Sequence, residues 1–154
     1  RIVSNLGHWI DLSVHILSWS STPFEYVDIT ISYSDISMPS DNIAVSIVSS
    51  NHDLINITFT SRGEPFEGVS EMINFQKDDL IVHIDDYRTT KIWKESYYKR
   101  YSHWPKNNGH KSTVLQPFGS VTKREWSEIE LSTRIMLHVE KMVTSNTTQS
   151  RFSL

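Results

Sequence analysis

The stretch Val27-Asp28-Ile29-Thr30-Ile31-Ser32-Tyr33 decides the fold. Val27, Ile29, Ile31 and Tyr33 alternate with Asp28, Thr30 and Ser32, so side chains point in turn to a core and to water. That is the pattern of a half-buried strand. The mixed run from Asp35 to Ser40, with Pro39 inside it, ends the strand. Ile43, Val45 and Ile47 repeat the alternation, and Ile55, Ile57 and Phe59 follow a cluster suited to turning the chain, Ser49-Ser50-Asn51-His52-Asp53. A hairpin is the natural reading. Further strands are predicted over residues 68–75, 80–84 and 89–93, separated by Lys77-Asp78-Asp79 and Asp85-Asp86. These connections leave no room for crossover helices, which makes the pairing antiparallel.

Helices flank the strands. Leu6, Ile10, Val14 and Leu17 recur at the period of an amphipathic helix with one buried stripe, and Ser4 or Asn5 is placed to cap it. Near the other end Trp126, Ile129, Thr133, Met136, Val139 and Val143 share one face of a long helix, with Glu128, Arg134 and Lys141 assigned to its wet side. Residues 145–154 are mostly polar and read as a frayed tail. The fold class is therefore α+β, a mainly antiparallel open sheet with helices packed on one face, in one domain over residues 1–154. Arg1 rather than Met opens the chain and a motif-rich helix begins almost at once, so the expectation is a segment cut from something longer.

At 154 residues and 38% hydrophobic, the chain can bury a core without staples. Its formal net charge of -3 provides no broad basic surface, which argues against nucleic acid as a partner. Cysteine is absent, excluding disulfides, thiolate metal sites and a cysteine nucleophile. With apolar runs far below the roughly 20 residues of a membrane span, these features lead to the expectation of a cytoplasmic protein without a membrane partner.

His8, Asp11 and His15 are spaced so that all three emerge on one face of the first helix, beside its apolar stripe. In a first helical turn, free N–H groups favour a neutral imidazole, the form that accepts a proton, and Asp11 is placed to orient it. The plainer reading is that His8 and Asp11 support the helix start. A metal held by His8, Asp11 and His15 is disfavoured, because one helix rarely aims three ligands at a point. Between Tyr97 and Lys106 aromatic and basic residues mix. Such a stretch can stack on a sugar or base with Lys99, Arg100 or Lys106 meeting phosphate, or be a solvated edge strand. Gly109-His110-Lys111 opens a short helix able to face an anion, or a plain loop.

The run Asn5-Leu6-Gly7-His8-Trp9-Ile10-Asp11-Leu12 resembles the segment that begins the C-terminal domain of the glucose-fructose oxidoreductase and inositol dehydrogenase (Gfo/Idh/MocA) family, where a glycine and then His-x-x-Asp start a helix. The order that follows is similar too: a hairpin-rich sheet, Gly109-His110-Lys111, and a final helix. The resemblance implies an oxidoreductase acting on a sugar or nucleotide-sugar. NAD or NADP would be bound mainly by an N-terminal Rossmann domain, and a Glu-Lys-Pro motif would supply a lysine. Neither that motif nor a G-x-G-x-x-G fingerprint occurs here, so the cofactor-binding half is expected elsewhere. By the same resemblance His8 is the catalytic acid/base and Asp11 its neighbour in the active-site helix. Lys99, Arg100, Tyr101, Lys106, His110 and Lys111 are the candidates for substrate contacts. Ser4 stands where many members carry an aspartate four residues before the histidine. The family's sheet implies a homo-oligomer, a dimer or tetramer. The rival expectation is a non-catalytic α+β module that binds a ligand or mediates assembly.

Overall fold

The computed structural model describes residues 6–19, 22–38, 42–60, 71–103 and 124–154. Two helices and eight strands follow in the order α1 (Gly7–Leu17), β1 (Tyr26–Tyr33), β2 (Asn42–Ser49), β3 (Leu54–Thr60), β4 (Met72–Lys77), β5 (Leu80–Asp85), β6 (Thr89–Lys94), β7 (Tyr97–Ser102), α2 (Trp126–Thr144) and β8 (Gln149–Ser153). The α+β class with antiparallel open sheets is as the alternation predicts. The strands form two four-stranded sheets, however, ordered β3-β2-β1-β8 and β4-β5-β6-β7. Where the sequence predicts one domain, the chain divides into two compact units, residues 1–63 with 123–154 and residues 64–122. Each unit carries its own sheet.

In the first unit the strand period produces a one-sided core. Val27, Ile29 and Ile31 of β1 and Ile43, Val45 and Ile47 of β2 are buried on one face. Leu6, Ile10, Val14 and Leu17 of α1 and Ile135, Val139, Met142 and Val143 of α2 complete the same cluster. The opposite face carries Thr30, Ser32, Asn56 and Thr58, all exposed. The register joins Ile31 to Val45 and Val45 to Ile57, so a slip of one residue would turn this apolar set to water.

The two helices run antiparallel. A Cβ added to Gly7 would stand 2.5 Å from the Met136 sulfur, and one turn on Asp11 meets Ser132. A further turn on, His15 Nδ1 lies 2.9 Å from Glu128 Oε1. Small residues sit at this contact, Gly7 on α1 and Ser132 on α2, and both are buried. The exposed face of α2 differs from the sequence reading. Trp126, Ile129 and Thr133 face water, whereas Ser132, Ile135 and Met142 are buried. The apolar residues of α2 admit two overlapping stripes, and close approach of α1 selects the one that includes a serine.

Residues 149–153 form a strand rather than part of a frayed tail. β8 pairs with β1 in register Val27 with Phe152 and Ile29 with Ser150, and the Ile31 amide donates to the Thr148 carbonyl at 2.8 Å. Main-chain pairing on an otherwise open edge of β1 compensates for the low apolar content, and Phe152 alone packs against the core. Arg151 reaches both carboxylate oxygens of Asp28 at 2.7 Å and covers the Tyr26 ring.

The second unit is an up-and-down meander whose side chains alternate between faces. Ile73, Phe75, Val82, Ile84 and Ile92 share one face by register, and Asn74, His83, Lys91 and Arg100 fall on the other. Residues 68–70 of the predicted fourth strand lie outside the described residues. Among the described residues no helix is long and apolar enough to cross a membrane.

Candidate functional site

α1 opens at Leu6, whose backbone is already helical and which offers no side-chain cap. The predicted caps Ser4 and Asn5 lie outside the described residues. His8 follows in the first turn and is exposed, with no hydrogen bond or ion pair to another residue among those described. Burial of Leu6, Ile10 and Val14 fixes the opposite side of the helix in the core, which holds His8 outward.

Asp11 does not turn to His8. Its Oδ2 accepts from Arg124 Nη1 at 2.6 Å, and Arg124 Nε donates to Glu128 on the next turn. Glu128 in turn meets His15 Nδ1 and accepts from the Ser18 hydroxyl at 3.2 Å. One guanidinium therefore forks between two carboxylates on two helices, the arrangement its planar donors suit best. The expected orienting role of Asp11 gives way to an anchoring one, because a full cation competes for the carboxylate more strongly than a neutral ring. Burial works against ionisation of Asp11, yet hydrogen bonds from Arg124 and Ser132 hold its carboxyl below the usual range. Glu128 is similar: burial opposes its charge, and Arg124 and His15 more than offset that. Asp11 and His15 each have a partner on or beside α2, and no three ligating side chains converge among the described residues.

Arg124 and Glu128 were not singled out as site residues by sequence reasoning. Their spacing of four around the start of α2 is an available signal, but their connection to α1 spans 113 residues. The candidate substrate contacts separate. β7 is an edge strand, exposed along its length, which settles the choice between strand and loop for residues 97–102. Lys99 and Tyr101 share one face, with the ammonium 4.7 Å from the ring centre, and hydrogen bonding to Tyr101 pushes the lysine pKa up. Arg100 faces the other way, opposite Lys91. Lys106, His110 and Lys111 lie outside the described residues.

No protein-family model and no curated protein matches this chain. The chemistry available at α1 is that of one imidazole, open to a ligand, at the end of a helix that an Arg124 clamp ties to its neighbour. A shallow cavity of about 280 Å³ on the first sheet, lined by residues 32–34, 42–44 and 58–60, presents a mainly apolar surface. Among its residues the Asn42 amide donates to Ser34 Oγ at 3.2 Å.

Proposed function

We propose that this chain is the C-terminal substrate-binding and oligomerisation domain of an NAD(P)-dependent oxidoreductase acting on a sugar or nucleotide-sugar. The observation that carries the reading is His8, exposed and without a partner among the described residues, in the first turn of a helix whose far side is locked into the core. Such an imidazole keeps its ring nitrogens open to a ligand. The nicotinamide, when bound by another part of the protein, would carry the hydride. His8 would take the proton from a substrate hydroxyl, or return it to a carbonyl oxygen. Asp11 contributes by fixing the helix through Arg124, and the imidazole works without a carboxylate from its own helix. The outer face of the first sheet, exposed and rich in Ser, Thr and Asn, is the surface through which a homo-oligomer would assemble. Absence of cysteine supports a cytoplasmic setting.

The test is His8→Ala in the full-length protein. Turnover is expected to fall by about 10²–10⁴-fold, the usual contribution of a positioned acid/base, with the cofactor Kd unchanged. Unchanged turnover would sink the assignment. The coding sequence upstream of Arg1 is an independent check: a glycine-rich turn after a strand and a later Glu-Lys-Pro are expected.

A second reading, the non-catalytic module, draws on the ion pair of Asp11. A carboxylate committed to Arg124 is what a purely structural His-x-x-Asp segment would show.

A further inference from the structure

The register of the second unit lays out two adjoining rows across one face of its sheet. In the first, Trp93 stands opposite Tyr98. In the second, Asn74, His83, Lys91 and Arg100 stand side by side on four successive strands. The rings form a continuous ladder: His83 meets Trp93 edge to face with centroids 5.0 Å apart, and Trp93 meets Tyr98 at 5.3 Å, tilted by 39°. Tyr98 is 52% exposed, and Arg100 is also open to water. Neither Lys91 nor Arg100 makes a hydrogen bond or ion pair with another residue among those described. Among the described strand residues the carboxylate on this face, Asp85, belongs to a third row, opposite Thr89 and beyond His83.

We infer that this face is a binding platform for a small phosphate-bearing ring compound, a nucleoside diphosphate. The inference shares Arg100 with the substrate contacts expected of the oxidoreductase but does not rest on that reading, since His8 has no part in it. Adjacent same-face residues of a strand are about 7 Å apart, so each aromatic side chain has a cation one step along its own strand, Lys91 beside Trp93 and Arg100 beside Tyr98. A base stacked on Tyr98 and Trp93 would extend its phosphates over the cation row. Guanidinium and ammonium groups left without internal carboxylates are the complement of that charge. The molecule as a whole is acidic, with a formal net charge of -3, so this row is a local feature and not part of a general basic surface. The same fact favours a ligand with one or two phosphates over a polynucleotide, which draws its affinity from many neutralised phosphates.

The intact chain is titrated by calorimetry with uridine 5′-diphosphate, uridine, inorganic pyrophosphate and a single-stranded oligonucleotide. Saturable binding of the diphosphate is expected, weaker for uridine and for pyrophosphate taken alone. Lys91→Ala with Arg100→Ala should raise the diphosphate Kd by about tenfold or more. Tyr98→Ala should weaken the diphosphate while sparing pyrophosphate. Lys94→Ala, on the opposite face, should change nothing. Tyr98, Arg100 and Lys94 are exposed and Lys91 is half-buried, and an unchanged circular dichroism spectrum checks that each variant is folded. Absence of saturable diphosphate binding overturns the proposal, as does equal loss in Lys94→Ala. Pyrophosphate binding as tightly as the nucleotide overturns the role of the rings. An oligonucleotide that binds more tightly, with a steep salt dependence, overturns the small-molecule assignment in favour of nucleic acid.

Discussion

Arg124 Nη1 donates to Asp11 Oδ2 at 2.6 Å, and through this contact the start of α2 holds the middle of α1. The same guanidinium serves Glu128, whose side chain is only 13% exposed. Replacing Arg124 by Met would keep an unbranched stem and remove the guanidinium from both carboxylates. A loss of about 1–2 kcal/mol is expected, between the values for exposed and buried pairs, and urea unfolding would measure it. The pH dependence carries a definite sign. Both folded carboxyls lie below their unfolded values, so their contribution is complete above the ordinary carboxylate range of about 4 and fades as pH falls through the folded values. Arg124→Met should flatten that acid limb. An unaltered limb would show that the clamp contributes nothing to the folded state.

Gly7 and Met136 form a second tie between the helices. A Cβ at residue 7 would stand 2.5 Å from the Met136 sulfur, closer than such atoms approach. Gly7→Ala should therefore cost about 1 kcal/mol or less, because a methionine side chain can give way. In a Met136→Ala background the clash is gone and alanine's helix propensity acts alone. Gly7→Ala should then stabilise by about 0.5–1 kcal/mol. The reversal of sign in a double-mutant cycle is the measurement; additive effects would mean that the two residues do not meet.

β8 is short and polar, and its attachment rests on pairing with β1 and on contacts from α2. His138 Nε2 lies 2.9 Å from Ser150 Oγ, and its ring meets Phe152 edge to face at 5.3 Å. Burial, aided by Lys141, lowers the His138 pKa. A neutral ring is thus favoured in the folded state. Its contribution is whole above the unfolded value of about 6.5 and is lost as pH falls from there through the lower folded value. The protection factor of the Ile31 amide, which donates to Thr148, should fall as pH drops over that interval, and His138→Gln should abolish the change. Phe152→Ala, at a half-buried position, should cost about 2 kcal/mol. Protection at Ile31 that ignores both substitutions would refute this account of the strand.

What could be read from the sequence follows from how each element is held. α1 and β1 to β3 were legible because each has one buried face and its apolar residues keep the matching period, from Leu6 to Leu17 and from Val27 to Phe59. α2 was half legible: Val139 and Val143 lie where expected, but Ser132 is buried by the approach of α1, which no hydropathy pattern encodes. β8 has a single apolar anchor, too little for alternation to register. The partner of Asp11 was out of reach for another reason, being 113 residues away and set by tertiary packing. Division of Arg100 from Lys99 and Tyr101 follows directly once residues 97–102 are a strand, since neighbours on a strand face opposite ways.

The second sheet turns its corners without glycine. Lys94 pairs with Tyr97, so Glu95 and Ser96 form a two-residue loop, and Glu95 adopts φ 52°. A hairpin of this length needs a positive φ at its first position to match the twist of the strands. For a side chain with a Cβ that conformation costs about 1–2 kcal/mol, while glycine adopts it freely at some expense in unfolded-chain entropy. Glu95→Gly should on balance raise stability by about 0.5–1 kcal/mol, seen as a higher urea midpoint with an unchanged slope. Glu95→Val, β-branched at the same φ, should lower it. If glycine and valine shifted the midpoint in the same direction, the turn would not have the left-handed geometry described.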